Sequence, residues 1–382
     1  MTPKLFFSAF FAILISFPLY SQHTDSLLAV LDTAAGPRKV KTLNELFRAN
    51  LMSDPVKAVG YSREALLLAT EIGDKRGMAA SSNNLGVAYR NQGALDKALE
   101  YYISSLKLYD SLQIREGIAT TKNNIANIYS IKKDYAQAMR YLEESYALFQ
   151  EMNDPYRLIG SMNNLGNLYH DIKLNEKALE YYNEAYALSE KNGAQFSDPL
   201  NNMGNIYFNQ GNYQTAIGYY EKALQIERTH NNKLGVLNTI TNIGITYTKA
   251  RQPRPAERYL REALDLSEKL HAFTSLPSVY KARAENFSNQ HQWKDAYQMQ
   301  LKYDEVREKI HSEESSRNIA RMEMVLDFQE KERELEILKK EDEIKTLELR
   351  NSRLFIILTI LGVIVVIGGI NFFYMDRKRK LI

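Results

Sequence analysis

The chain has 382 residues, a formal net charge of +3, 25 tyrosines and no cysteine. The missing thiols exclude a disulfide framework and thiolate metal sites. The near-neutral charge argues against a surface dedicated to nucleic acid.

Residues 1–21 place Lys4 ahead of an apolar run from Leu5 to Leu19, followed by Tyr20-Ser21. That is the layout of a secretory signal peptide, with cleavage expected after Ser21. Residues 22–40 are expected to form an N-terminal capping helix. Leu27, Leu28 and Leu31 fall on one side of it, and Gly36-Pro37 ends it.

From 41 to 305 one pattern recurs. Asn83-Asn84-Leu85-Gly86-Val87-Ala88-Tyr89 returns as Asn123-Asn124-Ile125-Ala126-Asn127-Ile128-Tyr129 and as Asn163-Asn164-Leu165-Gly166-Asn167-Leu168-Tyr169. It returns again as Asn201-Asn202-Met203-Gly204-Asn205-Ile206-Tyr207 and Thr241-Asn242-Ile243-Gly244-Ile245-Thr246-Tyr247, with spacings of 40, 40, 38 and 40 residues. A fixed period in this range predicts an all-α solenoid of stacked helix pairs. A second landmark follows each copy: Ala98, Ala138, Ala178, Ala216 and Ala256. Four residues on stand Tyr102, Leu142, Tyr182, Tyr220 and Leu260, and three further Ser105, Ser145, Ala185, Ala223 and Ala263. These share one stripe of a second helix, where small residues admit a neighbour and the large one fills the gap. A weaker copy precedes the five clear ones, with Ala58, Ala65 and Asn44 in register with Ala98, Ser105 and Asn84. Another follows, with Arg283, Ala284 and Phe287 in the first helix, Trp293 opening the second and Ala296 forty residues after Ala256. About seven repeats are expected, the first and last degenerate.

The Leu, Gly, Tyr and Ala, Tyr, Ala grammar resembles the tetratricopeptide repeat family. The usual period there is about 34 residues. The longer period here is similar to that of kinesin light chains, with the extra residues near Gly73, Asn153, Asn192 and Asn231. The proline that usually closes each repeat is missing. The resemblance implies a superhelical solenoid and speaks less of function, because such folds serve many partners.

Residues 306–353 are expected to form a long charged helix. Ile337, Ile344, Leu347 and Leu354 make one heptad seam, and Phe328, Leu335, Leu338 and Leu349 a competing one. A homodimeric coiled coil and a plain charged spacer both fit, since neither seam is clean. Residues 354–374 carry no charge and are about long enough to cross a bilayer. Arg377, Lys378, Arg379 and Lys380 follow, in a basic tail at 375–382. The positive-inside rule puts that tail in the cytoplasm. The expected location is the inner membrane, single-pass, with the N-terminal region periplasmic.

No HExxH, phosphate-binding loop or GxSxG occurs, and the six histidines lack metal-ligand spacing. No catalytic residue, metal or cofactor is expected. A surface is the better candidate. With the Leu, Ile or Met of the first helix numbered position 7, positions 4, 7, 8 and 11 face inward, and positions 2, 5, 9 and 12 lie opposite. In tetratricopeptide proteins that opposite side lines the peptide groove. The resemblance therefore points to Asn83, Asn123, Asn163 and Asn201 at position 5, Asn127, Asn167 and Asn205 at position 9, and Arg90 and His170 at position 12. Asparagine is a poor mid-helix residue, so its recurrence needs a cause. Its amide could hold a peptide backbone, or it could brace neighbouring helices. The unvarying Asn84, Asn124, Asn164, Asn202 and Asn242 at position 6 favour bracing, and the local position 9 patch favours a ligand.

The whole layout resembles a class of periplasmic repeat sensors common in Bacteroidetes-like genomes, whose output domain is absent here. The leading expectation is a membrane-anchored module that binds a peptide or protein, with no nucleic acid. The alternative is the sensor part of a signal-transduction protein of histidine kinase or transcription regulator type, with its output domain missing or on a separate chain.

Overall fold

The computed structural model describes the backbone of residues 18–379, apart from 52 and 194, and side chains chiefly over 24–312. The expected signal segment falls mostly outside these residues. Helix α1, Pro18–Thr33, already runs through the expected cleavage point at Ser21. The chain divides into two compact units at Glu308 and Lys309.

The first unit is a solenoid of helix pairs. Its first helices (A) and second helices (B) are α2 Gly36–Asn50 with α3 Pro55–Glu71, α4 Lys75–Asn91 with α5 Leu95–Ser111, and α6 Arg115–Ile131 with α7 Tyr135–Glu151. Next come α8 Pro155–Asp171 with α9 Asn175–Lys191, α10 Asp198–Asn209 with α11 Tyr213–Thr229, and α12 Lys233–Lys249 with α13 Pro253–Lys269. Last, α14 Leu276–Asn289 pairs with the start of α15, Trp293–Arg379. The first pair begins before the expected boundary at 41. Gly36-Pro37 opens α2 rather than only closing α1, because a proline in the first turn gives up an N–H that has no helical partner.

The longer period has a simple origin. Helices α4 to α9 each have 17 residues and are joined by three. The middle residue of each joint is left-handed: Gly93 at φ 76, Gln113 at 54, Lys133 at 62, Asn153 at 52 and Lys173 at 68. The residue after it serves both neighbours. Asp134 donates its N–H to the Tyr129 carbonyl at 2.9 Å, and its carboxylate accepts from the Gln137 N–H at 3.2 Å. Asp74, Asp154 and Asn232 repeat this arrangement. The one short period reflects α10, which has only 12 residues. The loop before it is tied back where Ser189 Oγ accepts the Phe196 N–H at 2.8 Å.

The core matches small against large. A Cβ added at Gly86, Gly166 or Gly204 would come within 2.5 Å of the ring of Tyr102, Tyr182 or Tyr220, all fully buried. Where helix B carries the slimmer Leu142, helix A carries Ala126 instead of glycine. Each buried tyrosine contributes about 2–3 kcal/mol of hydrophobic stabilisation. The inward face is wider than expected, because position 10 is also buried: Ala88, Ile128, Leu168 and Ile206. Helix A packs on its own helix B and on the helix B before it, so it needs apolar residues on two flanks. Ser105 and Ser145 donate to the helix A carbonyls of Ala79 and Ala119, each at 2.8 Å. Outside this layer every clear repeat stacks two tyrosines, from Tyr89 on Tyr101 at 5.3 Å to Tyr247 on Tyr259 at 5.8 Å.

The second unit is the continuation of α15, which has no new start at 306. It contains a stretch long and apolar enough to cross a bilayer, Ile344–Gly369, with mean hydropathy 2.3. That stretch begins upstream of the expected 354. Ile337, Ile344, Leu347 and Leu354 of the first seam are exposed. The side chains of Phe328, Leu335 and Leu338 and the tail at 380–382 lie outside the described residues.

Candidate functional site

The repeated asparagines form a ladder along the A helices. Asn124 Nδ2 donates to Asn83 Oδ1, Asn164 Nδ2 to Asn123 Oδ1 and Asn202 Nδ2 to Asn163 Oδ1, each at 3.0 Å. Thr239 Oγ1 donates to Asn201 Oδ1 at 3.3 Å. In the three asparagine pairs position 6 of one repeat is thus the donor to position 5 of the repeat before it, whereas Thr239 donates from position 3. A half-buried amide so held is worth about 1 kcal/mol net and costs more if left alone. The acceptors Asn83, Asn123 and Asn163 make no hydrogen bond through Nδ2 among the described residues.

At the N-terminal end of the ladder Asn84 Nδ2 donates to Asn44 Oδ1 at 2.8 Å. Asn44 therefore fills the place of Asn83, one residue off the register expected with Asn84. The cause is the joint after α2, which differs from the later three-residue joints. The shift puts Arg48 in the position 9 column.

The position 9 patch is partly consumed by packing. Tyr182 donates its hydroxyl to Asn167 Oδ1 and Tyr220 to Asn205 Oδ1, both at 2.7 Å, and Asn202 Nδ2 also reaches Asn167 at 3.0 Å. Asn127 is half-buried in a repeat whose helix B carries Leu142, and it makes no described hydrogen bond. Two of the three patch residues thus answer buried phenols, which the sequence reading missed; the signal was that Asn167 and Asn205 accompany a tyrosine fifteen residues later. Burial raises the Tyr182 and Tyr220 pKa values and so keeps both hydroxyls as donors. His170 Nδ1 lies 2.8 Å from Asn175 Oδ1, and Arg90 donates to Asn91 Oδ1 at 3.1 Å.

An open groove of about 810 Å³ lies along α2, α4 and α6. Asn44, Asn83, Val87, Thr120 and Asn124 line it, together with Arg48, Arg76 and Tyr109. Of the expected residues only Asn83 lies here; Asn123, Asn127, Asn163, Asn167, Asn201, Asn205, Arg90 and His170 do not line it. The repeats bring Asn83, Asn123, Asn163 and Asn201 into one ladder, but Asn127 and Asn205 make no rung of it, and the expected residues do not share one cavity.

No curated protein matches the sequence. Among solved structures, a Rap protein complexed with Competence and Sporulation Factor gives a TM-score of 0.59 at 14% identity, over 78% of this chain and 82% of that one. The apo form of RapI gives 0.55 at 17% identity, over 72% and 99%. A STAND protein with a tetratricopeptide repeat sensor from Pyrococcus horikoshii gives 0.56 at 15% identity, over 77% and 48%. At these identities the likeness is one of fold. The tetratricopeptide repeat model matches residues 49–111, 117–191 and 196–269, more than half of the sequence, and the chain belongs to the tetratricopeptide repeat family.

Proposed function

We propose that the chain is a membrane-anchored interaction module, displayed outside the cytoplasm, that binds an extended peptide or protein segment along its A helices. The observation that carries this reading is the continuous amide ladder beside an open groove. Once the ladder is made, Asn83, Asn123 and Asn163 still hold N–H donors suited to a peptide backbone. The apolar stretch Ile344–Gly369 and the basic residues after it support the anchor and the orientation. The exposed seam Ile337, Ile344, Leu347 and Leu354 supports pairing of two copies.

The test is a photocrosslinker placed at Val87 in the groove, or at the exposed Lys107 on α5, in the full chain in intact cells. A discrete adduct from Val87 and none from Lys107 is expected. Equal labelling from both sites, or none from Val87, ends the groove reading.

A further inference from the structure

Glu227 is the only charged residue among the buried side chains described, at 6% exposure. The equivalent places in the other clear repeats hold Tyr109, Phe149, Ser189 and Ser267. Glu227 lies where α11 meets the starts of two A helices, α10 and α12. Its carboxylate accepts a hydrogen bond from the Ser197 hydroxyl, and a Cβ added at Gly235, in the first turn of α12, would run into it. Ser197 stands at the N-cap of α10, where a serine ordinarily bonds its own helix through its side chain. It makes no such bond, because its hydroxyl is committed to Glu227. This is also the repeat with the 12-residue A helix, so α10 begins at the contact itself.

Asp198, the first residue of α10, brings a second carboxylate to the same place. It is open to solvent on one side, yet desolvation raises its pKa and the negative charge of Glu227 raises it further. Neither carboxylate makes an ion pair among the described residues. Charges on the surrounding helices are engaged elsewhere or stand in solvent. On α8 Arg157 pairs with Asp154 at 3.1 Å, and on α9 Glu190 accepts the Tyr186 hydroxyl at 2.7 Å. Arg228 of α11 pairs with Glu262 of α13 at 2.9 Å. Lys191, His230 and Lys233 are exposed and pair with neither carboxylate. The positive ends of two helices favour one negative charge here. A second charge so close to the first is repelled in a poorly solvated place.

We propose that Ser197, Asp198 and Glu227 form an acid-sensitive clasp in the fifth repeat, at which uptake of one proton fastens the start of α10 to α11 and α12. The proton leaves one negative charge between the two helix starts and turns the second acid into a hydrogen-bond donor. The folded clasp holds this proton more firmly than the unfolded chain does. Its stability therefore rises as the pH falls toward the ordinary carboxylate range, and is lost as the pH climbs past the raised value. The device is independent of what the groove binds. The test is hydrogen exchange read by mass spectrometry on the full chain in detergent micelles. Exchange is compared at about pH 7.5 and about pH 4.5, with rates corrected for their intrinsic pH dependence. The reference is the joint at Gln92-Gly93-Ala94, which carries no carboxylate. Relative to it, protection at the start of α10 and at the junction of α11 with α12 should rise roughly threefold or more in acid. Asp198→Asn removes the second charge with little change of shape, and should give the acid level of protection at both pH values. Glu227→Gln should likewise abolish the rise, and both variants should keep the helical circular dichroism. Equal protection at the two pH values in the unaltered chain, or a rise that survives in both variants, overturns the clasp.

Discussion

The second and fourth repeats differ at one internal contact. Both lay a buried tyrosine across a glycine: Tyr102 on Gly86 and Tyr182 on Gly166. In the fourth, the phenol finds Asn167; in the second, position 9 is Val87 and the buried Tyr102 hydroxyl has no hydrogen-bond partner among the described residues. Burial pushes the Tyr102 pKa up to about 12, with Arg90 opposing. The repeat grammar conserves the shape of the contact while its polar satisfaction varies. A position 9 asparagine is therefore a packing residue wherever a tyrosine stands fifteen residues on, and a ligand candidate only where none does.

The largest expected effect tests the shape. Gly166→Ala should cost about 2–3 kcal/mol, read from the urea midpoint, because the new methyl meets the Tyr182 ring. Adding Tyr182→Leu should recover part of the loss, since the third repeat already pairs Ala126 with Leu142. No recovery would show that the two residues are not coupled. A smaller effect tests the polar half. Tyr182→Phe should cost about 1 kcal/mol, whereas Tyr102→Phe should change stability by less than about 0.5 kcal/mol. Val87→Asn should stabilise the second repeat by about 1 kcal/mol by giving Tyr102 an acceptor. Equal losses from the two phenylalanine variants would refute the contrast. The smallest effect tests the joints. The second repeat turns on Gly93 at φ 76 and the fourth on Lys173 at φ 68. Lys173→Gly should raise stability by about 0.5–1 kcal/mol by removing the left-handed strain of a side chain. A loss instead would mean that the lysine side chain stabilises its turn.

The period, the helix pairs and the small–large–small stripe of the second helix were legible in the sequence because each is a local pattern repeated at a fixed distance; that each buried tyrosine lies on the glycine of helix A was not. The division of labour among the asparagines was not. Asn123 and Asn124 are adjacent in the chain, yet one receives from Asn164 and the other donates to Asn83. Only the stacking of neighbouring repeats decides which is which. Arg48 stayed hidden for a related cause: counting forward from Asn44 at the standard period misplaces it by one residue, about 100° around a helix. Gly36-Pro37 misled differently, since the same dipeptide can follow one helix or begin the next.

The doubled role of Asp74, Asp134, Asp154 and Asn232 has a consequence for how the array comes apart. Each is a rivet through two plates: its main chain fastens the rod behind and its side chain the rod ahead. Shearing one loosens both rods, so opening spreads to either side of the break instead of stopping at a helix end. The smallest segments of the molecule therefore govern how far a local disturbance travels.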